Sequence, residues 1–463
     1  MLHKKFKIYM TERNSVLKGE NMQKKEYSLF TAIAMIVGIV IGSGIFFKSD
    51  NILIYTNGSI KDGIILFSLA AVGIIFGSLA IGVLASKTTK AGGVITYADE
   101  YSGKKTACAF GWFQVFIYYP AVTVVVSWVA GIYGAMLFGI EASSYTIALI
   151  GTAAIVGCFL VNVLSANLGG YFQNCSTVIK MIPLIVIAGA GFIYGDPYAA
   201  VPIGNEVSTA GGNSVSWLAA LGPIAFSYDG WVVSTSIAHE IKNSKKNLPI
   251  ALIVGPIFVL AAYIFYFAGI SRLIGPMNIM EMGDAHVNEA AVKLFGEGGA
   301  KIILIFVIIS VLGTLNGFIL GFIRLPYSLA LRGMFPASER IKKVNDKTHL
   351  PEYSAAIAFT TTIIWSVINY IVQSRNLIPN SDVSEIPIVA SYILYIILYV
   401  CVIKLYFKGE VEGKVRGVVN PILAIFGSLL IIVGGLQNPR TFLYLGICLA
   451  VIVLSLIFYK NKQ

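Results

Sequence analysis

The hydrophobic positions of this chain come in long unbroken runs that are separated by short polar connections. Each run has about 18 to 25 residues, which is the length that a helix needs to cross a hydrocarbon core of about 30 Å. Strands of an outer-membrane barrel would instead give short segments of alternating apolar and polar residues. The pattern predicts an all-α polytopic membrane protein. Its twelve transmembrane spans, numbered 1 to 12, are expected at residues 29–47, 63–86, 107–138, 145–163, 171–194, 216–239, 248–270, 300–331, 354–373, 386–407, 419–436 and 441–459.

The connections between the spans are too short to hold a soluble domain. We expect an N-terminal arm at residues 1–28, a core of spans 1 to 10 at residues 29–410, and a C-terminal part at residues 411–463 with spans 11 and 12 and a short tail. The longest connection on the outer side, at about 271–299, has room for a small helix.

Composition supports a lipid environment. Of the 463 residues, 57% are hydrophobic and only 12% are charged, whereas soluble domains carry roughly 25% charged residues. The formal net charge of +11 would also suit a nucleic-acid-binding protein. The basic residues, however, are spread over the short connections, so no nucleic acid partner is implied.

Lysine and arginine positions predict the orientation of the spans. If the N-terminus is cytoplasmic, 25 of these residues lie on the inner side and seven on the outer side. Cytoplasmic connections are enriched in Lys and Arg, and the number of spans is even, so both termini are expected in the cytoplasm. The first apolar run is too long for a cleavable signal and leads into further spans, so we interpret it as a retained span.

Residues that carry chemistry are sparse inside the spans. The five cysteines lie in or beside apolar runs and no pair has metal-ligand spacing, so neither a disulfide, a metal site nor a cofactor is predicted. An intramembrane enzyme would need a converging nucleophile, an acid–base pair or a metal cluster, and none is evident. A channel would need a polar filter along its pore, which is not evident either.

Span 1 contains a run of small residues at Gly38, Gly42, Ser43 and Gly44. Glycine weakens a helix by about 1 kcal/mol and permits backbone geometry that other residues resist. Gly38 and Gly42 also have the GxxxG spacing of a helix-packing face, and this alternative stays open. The functional interpretation is a helix that is interrupted near the bilayer centre, where unpaired N–H groups at the start of its second half would bind a carboxylate.

Span 6 contains a second candidate interruption, at residues 226–231. Asp229 is costly inside an apolar span unless it faces protein or water, and Asp-Gly is a turn signal. The alternative is that the span ends earlier and Asp229 lies at the membrane interface, but apolar residues continue to Ile237. Spans 1 and 6 begin two successive five-helix units, a placement typical of inverted-repeat transporters with a site near the midplane. An α-amino acid is the simplest ligand that N–H groups could hold at one charged end and carbonyls at the other.

At these residues the chain resembles the amino acid–polyamine–organocation (APC) superfamily, most closely its L-type amino acid transporter branch and bacterial serine/threonine exchangers. Each motif is weak alone, but their order and placement are specific. They are I-G-S-G-I-F at 41–46, K-A-G-G-V-I-T-Y at 90–97, F-S-Y-D-G-W at 226–231, H-E-I-K-N-S-K-K-N-L-P at 239–249, L-G-T-L-N-G at 312–317 and R-G-M-F-P at 332–336. The resemblance implies a leucine-transporter-like fold, a 5+5 inverted repeat in which helices 1 and 6 are broken.

The resemblance also implies a substrate site. Backbone at Ser43 and Gly44 would bind the substrate carboxylate, and the carbonyls of Val40 and Phe226 would receive the α-ammonium. Asp229 stands where relatives vary, and it would support the ammonium, take part in a proton-linked step or cap the half-helix; we expect capping or ammonium support. The full set of expected substrate-binding residues is Val40, Gly42, Ser43, Gly44, Ile45, Phe226, Tyr228, Asp229, Gly230 and Trp231.

Lys180 in span 5 is the other costly residue. In the family that this chain resembles, a lysine at this position places its ammonium where other transporters hold a sodium ion, and it links span 5 to the broken span 1. Lys180 is therefore expected to make transport independent of sodium. The alternative is that its side chain snorkels to the membrane surface. Arg324 is expected to anchor the inner interface, and Glu240 to join an inner charge network.

The expected function is sodium-independent exchange of small neutral amino acids such as serine, threonine or alanine, by alternating access across the plasma membrane. The alternative is a proton-coupled symporter of neutral or cationic amino acids. Animal L-type members bond to a glycoprotein through a cysteine between spans 3 and 4, but residues 138–144 hold no cysteine here. A disulfide-linked heavy chain is therefore not expected.

Overall fold

The computed structural model describes residues 28–42, 44–88, 93–164, 172, 175–199, 217–232, 241–345, 350–437 and 441–460. All regular elements within these residues are helices, as predicted. The spans are formed by Leu29–Val40, Gly44–Phe47 and Ser49–Tyr55 for span 1, Ile60–Lys87 for span 2, Lys104–Phe138 for span 3, Ser144–Leu164 for span 4, Cys175–Tyr194 for span 5, Trp217–Ser227 for span 6, Ser244–Ile274 for span 7, His286–Leu331 for span 8, Glu352–Ser374 for span 9, Glu385–Phe407 for span 10, Val415–Gly435 for span 11 and Thr441–Lys460 for span 12.

Within the described residues, ten of these spans contain a helix that is long and apolar enough to cross a membrane. The described parts of spans 1 and 6 hold shorter helices, because each helix ends where the sequence predicted a break. The predicted stretches 171–174 and 233–239 lie largely or wholly outside the described residues.

Helix ends follow local sequence signals. The Ser59 hydroxyl oxygen accepts a hydrogen bond from the Asp62 N–H and so caps the start of span 2. Span 3 ends at Gly139, whose φ of 65° is a left-handed conformation that favours glycine. Span 3 also contains a π-helical turn, Gln114–Tyr118.

The long connection after span 7, which the sequence expected to have room for a small helix, contains two α-helical pieces. The first is Pro276–Met282. The second is the start of the helix His286–Leu331, which changes direction at Gly296, where φ is 66°. Two further short helices, Gly93–Tyr101 and Ser338–Ile341, follow spans 2 and 8.

Successive connections lie on opposite faces of the bundle, because each span crosses it once. On one face, the Lys87 ammonium donates to the Glu410 carbonyl oxygen at 2.8 Å, and Arg332 lies 3.5 Å from Asp99. We call this the basic face; it holds the described residues that follow spans 2, 8 and 10. The opposite, distal face holds residues 56–59, 139–143, 275–296 and 375–384.

Close helix packing in the bundle depends on small residues. A Cβ atom placed on Gly73 of span 2 would lie 2.9 Å from the Gly427 Cα atom of span 11, so these two backbones are almost in contact. The outward faces of spans 4, 9 and 12 carry exposed large apolar side chains, including Leu149, Ile364 and Leu449. Apolar side chains in these places are those expected to face lipid.

Candidate functional site

The helix of span 1 ends at Val40 and begins again at Gly44. Ile41 has extended backbone angles, φ −68° and ψ 102°, so the two halves are separate helices. From Gly44 the hydrogen bonding continues through Lys48 to Thr56, which makes residues 44–55 one half-helix that bends at Lys48. Ser43, one of the expected site residues, lies outside the described residues.

The helix of span 6 ends at Ser227, and residues 228–230 form a turn. The Asp229 N–H donates to the Phe226 carbonyl oxygen at 3.0 Å. Gly230 has a φ of 89°, a conformation that L-residues rarely adopt. The Asp-Gly turn therefore interrupts the span, and Tyr228 and Trp231 on either side of it are buried.

The two breaks face each other across a very small gap. A Cβ atom placed on Gly44 would lie 2.7 Å from the Ser227 Cα atom and 3.1 Å from the Phe226 ring. Gly42 is similarly close to span 8, because a Cβ atom there would lie 3.1 Å from Thr314 side-chain atoms. Position 44 must therefore be glycine, because the backbone of span 6 lies too close for a Cβ atom. The neighbouring Ile45 is fully buried.

Lys180 contacts the backbone of span 1 at its break. Its side chain is 1% exposed, and Nζ donates to the Gly38 and Ile41 carbonyl oxygens, both at 2.7 Å. These carbonyls stand at the end of the first half-helix, where the helix dipole favours a cation. Because the ammonium is held at the break and shielded from solvent, the snorkelling alternative does not describe this residue.

The Tyr263 hydroxyl of span 7 lies between the backbone carbonyls of the two breaks. The sequence analysis did not identify this residue. Its hydroxyl oxygen lies 3.0 Å from the Val40 carbonyl oxygen and 2.6 Å from the Ser227 carbonyl oxygen. A hydroxyl has a single proton to donate, so it serves one of these carbonyls at a time. A buried tyrosine needs a partner for its hydroxyl. The sequence alone, however, does not tell which of 24 tyrosines lies at the breaks.

Both carbonyls that the sequence assigned to the substrate ammonium already accept a hydrogen bond in this structure. The Val40 carbonyl has the Tyr263 hydroxyl, and the Phe226 carbonyl accepts from the Asp229 N–H within the turn. The Ser227 carbonyl, which the sequence did not suggest, points to the same hydroxyl as that of Val40. The Val40 and Ser227 carbonyls therefore face one shared hydroxyl, whereas the Phe226 carbonyl is used within the turn.

Asp229 is half-buried and is held by span 3. Its Oδ2 accepts a hydrogen bond of 2.6 Å from the Tyr118 hydroxyl, and Tyr118 belongs to the π-helical turn of that span. On the other side of the turn, the Trp231 ring packs edge-on against Tyr395 of span 10, with centroids 5.4 Å apart. These contacts join spans 3, 6 and 10 around the second break.

The remaining residues singled out by the sequence lie away from the breaks. Arg324 is exposed on span 8, a position that suits an anchor rather than a substrate contact. Glu240 lies outside the described residues. A cavity between spans 2, 7 and 11, lined by Leu79, Pro249 and their neighbours, touches none of the expected site residues.

Comparison with known proteins agrees with this architecture. The family model described as "Amino acid permease" matches residues 27–458, nearly the whole chain. The chain belongs to the amino acid permease family. This family lies within the APC superfamily, so the resemblance read from the motifs is confirmed, as are the 12-helix leucine-transporter-like fold and the membership of a family of transporters.

Three characterised relatives of the permease are similar over most of their length. The serine/threonine exchanger SteT of Bacillus subtilis (strain 168) is 29% identical over 418 residues, which cover 89% of this chain and 91% of SteT. The b(0,+)-type amino acid transporter 1 of Mus musculus is 26% identical over 457 residues, 96% of this chain and 88% of the relative. The human Asc-type amino acid transporter 1 is 25% identical over 358 residues, 75% and 68% of the two chains.

Proposed function

We propose that this permease exchanges small neutral amino acids, such as serine, threonine or alanine, across the plasma membrane without sodium. The observation that carries the proposal is the meeting of three half-helix ends at Val40, Gly44 and Ser227. Relatives named as amino acid transporters, one of them a serine/threonine exchanger, support the substrate class.

The three helix ends have the charges that a zwitterion needs. Residues 44–55 begin at Gly44, so their free N–H groups and positive dipole end suit a carboxylate. The half-helices of spans 1 and 6 end at Val40 and Ser227, so their carbonyls and negative dipole ends suit an ammonium. An α-amino acid carries both charged groups on one carbon and is therefore the simplest solute that pairs with all three ends.

Tyr263 defines how the ammonium would bind. An ammonium has three donors, which can go to the Val40 carbonyl, the Ser227 carbonyl and the oxygen of the Tyr263 hydroxyl. Tyr263 would then change from donor to acceptor, and the two carbonyls would receive charge-assisted bonds in place of a neutral one. Substrate binding would thus tighten the contact between the two breaks.

Lys180 supports the proposal that transport does not need sodium. Its ammonium is already bound to the Gly38 and Ile41 carbonyls, which form the negative end of the first half-helix. A fixed cation in this place would stabilise the broken span 1 in the way that a bound metal cation would.

The orientation proposed for the permease places the basic face in the cytoplasm, following the excess of Lys and Arg in its connections. The termini would then be cytoplasmic and the distal face external. The chain is proposed to work without a disulfide-linked heavy chain, because residues 139–143 on the distal face contain no cysteine.

The test is uptake of radiolabelled amino acids into proteoliposomes that contain the purified permease. We expect uptake of serine, threonine or alanine only when the vesicles are preloaded with an amino acid, and no change when sodium is removed. Uptake into empty vesicles driven by a pH gradient would instead establish proton-coupled symport. The proposal fails if no amino acid is taken up under any of these conditions.

A further inference from the structure

The cavity between spans 2, 7 and 11 has a volume of about 150 Å³ and lies apart from the expected substrate residues. Span 2 lines it with Leu79, Gly82, Val83 and Ser86, which stand at positions i, i+3, i+4 and i+7. Residues at this spacing share one face of an α-helix, and they extend along it for about 10 Å. The cavity is therefore an elongated groove along span 2, which we call the span 2 crevice.

The span 2 crevice is apolar at the end that lies further from the basic face. Leu79 and Val83 line it from span 2, and Leu252 lines it from span 7. The two spans meet closely there, because a Cβ atom placed on Gly82 would lie 2.6 Å from Leu252 Cδ1. Cavities of this size with an apolar lining exclude water and accept apolar ligands. This end of the crevice thus suits an aliphatic chain.

The crevice is polar at its other end, which reaches the basic face. Ser86 lies one residue before the end of span 2, and Arg416 is the second residue of span 11. Arg416 Nη2 donates to Ser86 Oγ at 3.3 Å. A guanidinium has five N–H donors, and this contact uses one of them. Because Arg416 is also exposed, it can donate to an anion at the mouth of the crevice.

The other two helices that line the crevice also bring a basic residue to this end. Lys87 directly follows Ser86 on span 2, and Lys246 precedes Leu248 by two residues at the start of span 7. Both lysines are exposed. The Lys87 ammonium lies 4.0 Å from the Glu410 carboxylate, which balances part of its charge. The mouth of the crevice is thus surrounded by basic residues from three helices.

The rim of the crevice faces the lipid. Ile253, which follows the lining residue Leu252 on span 7, is 37% exposed. Ile422, two residues beyond the lining residue Asn420 on span 11, is 51% exposed. Large apolar side chains that are exposed on a membrane-spanning helix are expected to contact acyl chains. A lipid chain can therefore enter the crevice from the bilayer without crossing water or the substrate site.

We propose that the span 2 crevice binds one anionic phospholipid, with an acyl chain between Leu79 and Leu252 and the phosphate at Arg416. Basic pockets between transmembrane helices bind anionic lipid headgroups, and arginine can pair with a phosphate through two parallel N–H donors. The bound lipid fills the gap between span 11 and spans 2 and 7, and so stabilises the packing of these helices. The proposal goes beyond the exchange function and does not depend on it.

Other ligands would use only part of the crevice. Inorganic phosphate could pair with Arg416 but would leave the apolar end empty. Phosphatidylcholine could fill the apolar end, but it would bring a quaternary ammonium to a mouth that is already basic. An anionic phospholipid suits both ends, so the other two molecules are the comparison ligands in the test.

The test is a titration of the purified, delipidated permease in detergent with phosphatidylglycerol. Native mass spectrometry counts the bound lipid, and thermal unfolding measures its effect on stability. We expect one tightly bound phosphatidylglycerol per chain and a higher midpoint of unfolding, since a ligand that binds only the folded state stabilises it. In Arg416→Gln the concentration for half-maximal effect should rise about tenfold, as for loss of a charge-assisted hydrogen bond.

The matched control is Lys414→Gln, which removes an exposed positive charge from the same segment but does not line the crevice. It should titrate as the parent does. Leu79→Phe, which fills the apolar end and leaves Arg416 in place, should weaken binding as well. If Leu79→Phe does not fold, Arg416→Gln and Lys414→Gln still decide the question.

Several outcomes overturn the lipid site. One is an Arg416→Gln or a folded Leu79→Phe variant that titrates as the parent does. Another is a Lys414→Gln variant that weakens binding as much as Arg416→Gln, because the effect would then come from general surface charge. Phosphatidylcholine or inorganic phosphate that raises the unfolding midpoint as phosphatidylglycerol does also overturns it. None of these measurements involves transport, so the exchange function is judged separately.

Discussion

The two buried lysines of span 5 and span 1 are held by different kinds of partner. Lys180 donates to two backbone carbonyls, whereas Lys48 is paired with two carboxylates. Carbonyls at a helix end are fixed by the backbone, so Lys180 stabilises the broken geometry itself. The carboxylates at Lys48 belong to another span and can be separated from it. Lys180 therefore holds the geometry of one span, and Lys48 joins span 1 to span 10, although both lysines are almost inaccessible to solvent.

The largest effect is expected at the break itself. Gly44→Leu should abolish exchange, because any side chain there must displace the Ser227 backbone, which lies 2.7 Å from a Cβ atom at this position. Substrate binding by the purified variant, measured by scintillation proximity with labelled serine, is expected to be absent. Gly157→Leu in span 4 is the matched control, since no atom lies within 4 Å of a Cβ atom there. If Gly44→Leu binds substrate as the parent does, the site is not at the breaks.

Lys180→Met should reduce exchange by about 100-fold, because the Gly38 and Ile41 carbonyls lose a charged donor that has no replacement in a buried place. The measurement is the exchange rate at saturating substrate, with and without sodium. Partial recovery in sodium would strengthen the comparison with a bound cation. Full activity without Lys180 would contradict the role assigned to it.

Tyr263→Phe should raise KM by about tenfold, as for one lost hydrogen bond to a charged group. The rise is expected equally at both faces, because the hydroxyl lies between Val40 and Ser227 at the shared site. A one-sided effect of Tyr263→Phe would place this hydroxyl on a route instead of in the site.

The fold could be predicted from the sequence because the bilayer imposes a length on each apolar run. The two breaks could be predicted because Gly38, Gly42 and Gly44, and then Asp229 and Gly230, violate helix preferences inside such runs. Lys180 was conspicuous for the same reason, as a charge in the middle of a span.

The contacts that complete the site could not be predicted in this way. Tyr263 violates no preference in span 7, and its importance comes only from the packing of three helix ends around its hydroxyl. Lys48 directly follows the predicted span 1, so the sequence marks it only as a basic residue of the outer side. Its partners Asp382 and Glu385 are more than 330 residues away, and no local pattern links them.

The smallest effect is expected for an ion pair that resembles the buried pairs of Lys48 with Asp382 and Glu385 only in composition. Lys342 and Glu339 are 2.7 Å apart but largely exposed, with 41% and 85% of their side-chain surfaces accessible. Exposed pairs contribute little because water already solvates both charges, so Lys342→Met should lower stability by less than about 0.5 kcal/mol. Thermal unfolding in detergent and exchange at both faces should match the parent within error. A loss of stability well above this value would mean that burial is not what distinguishes the pairs of Lys48 from this exposed pair.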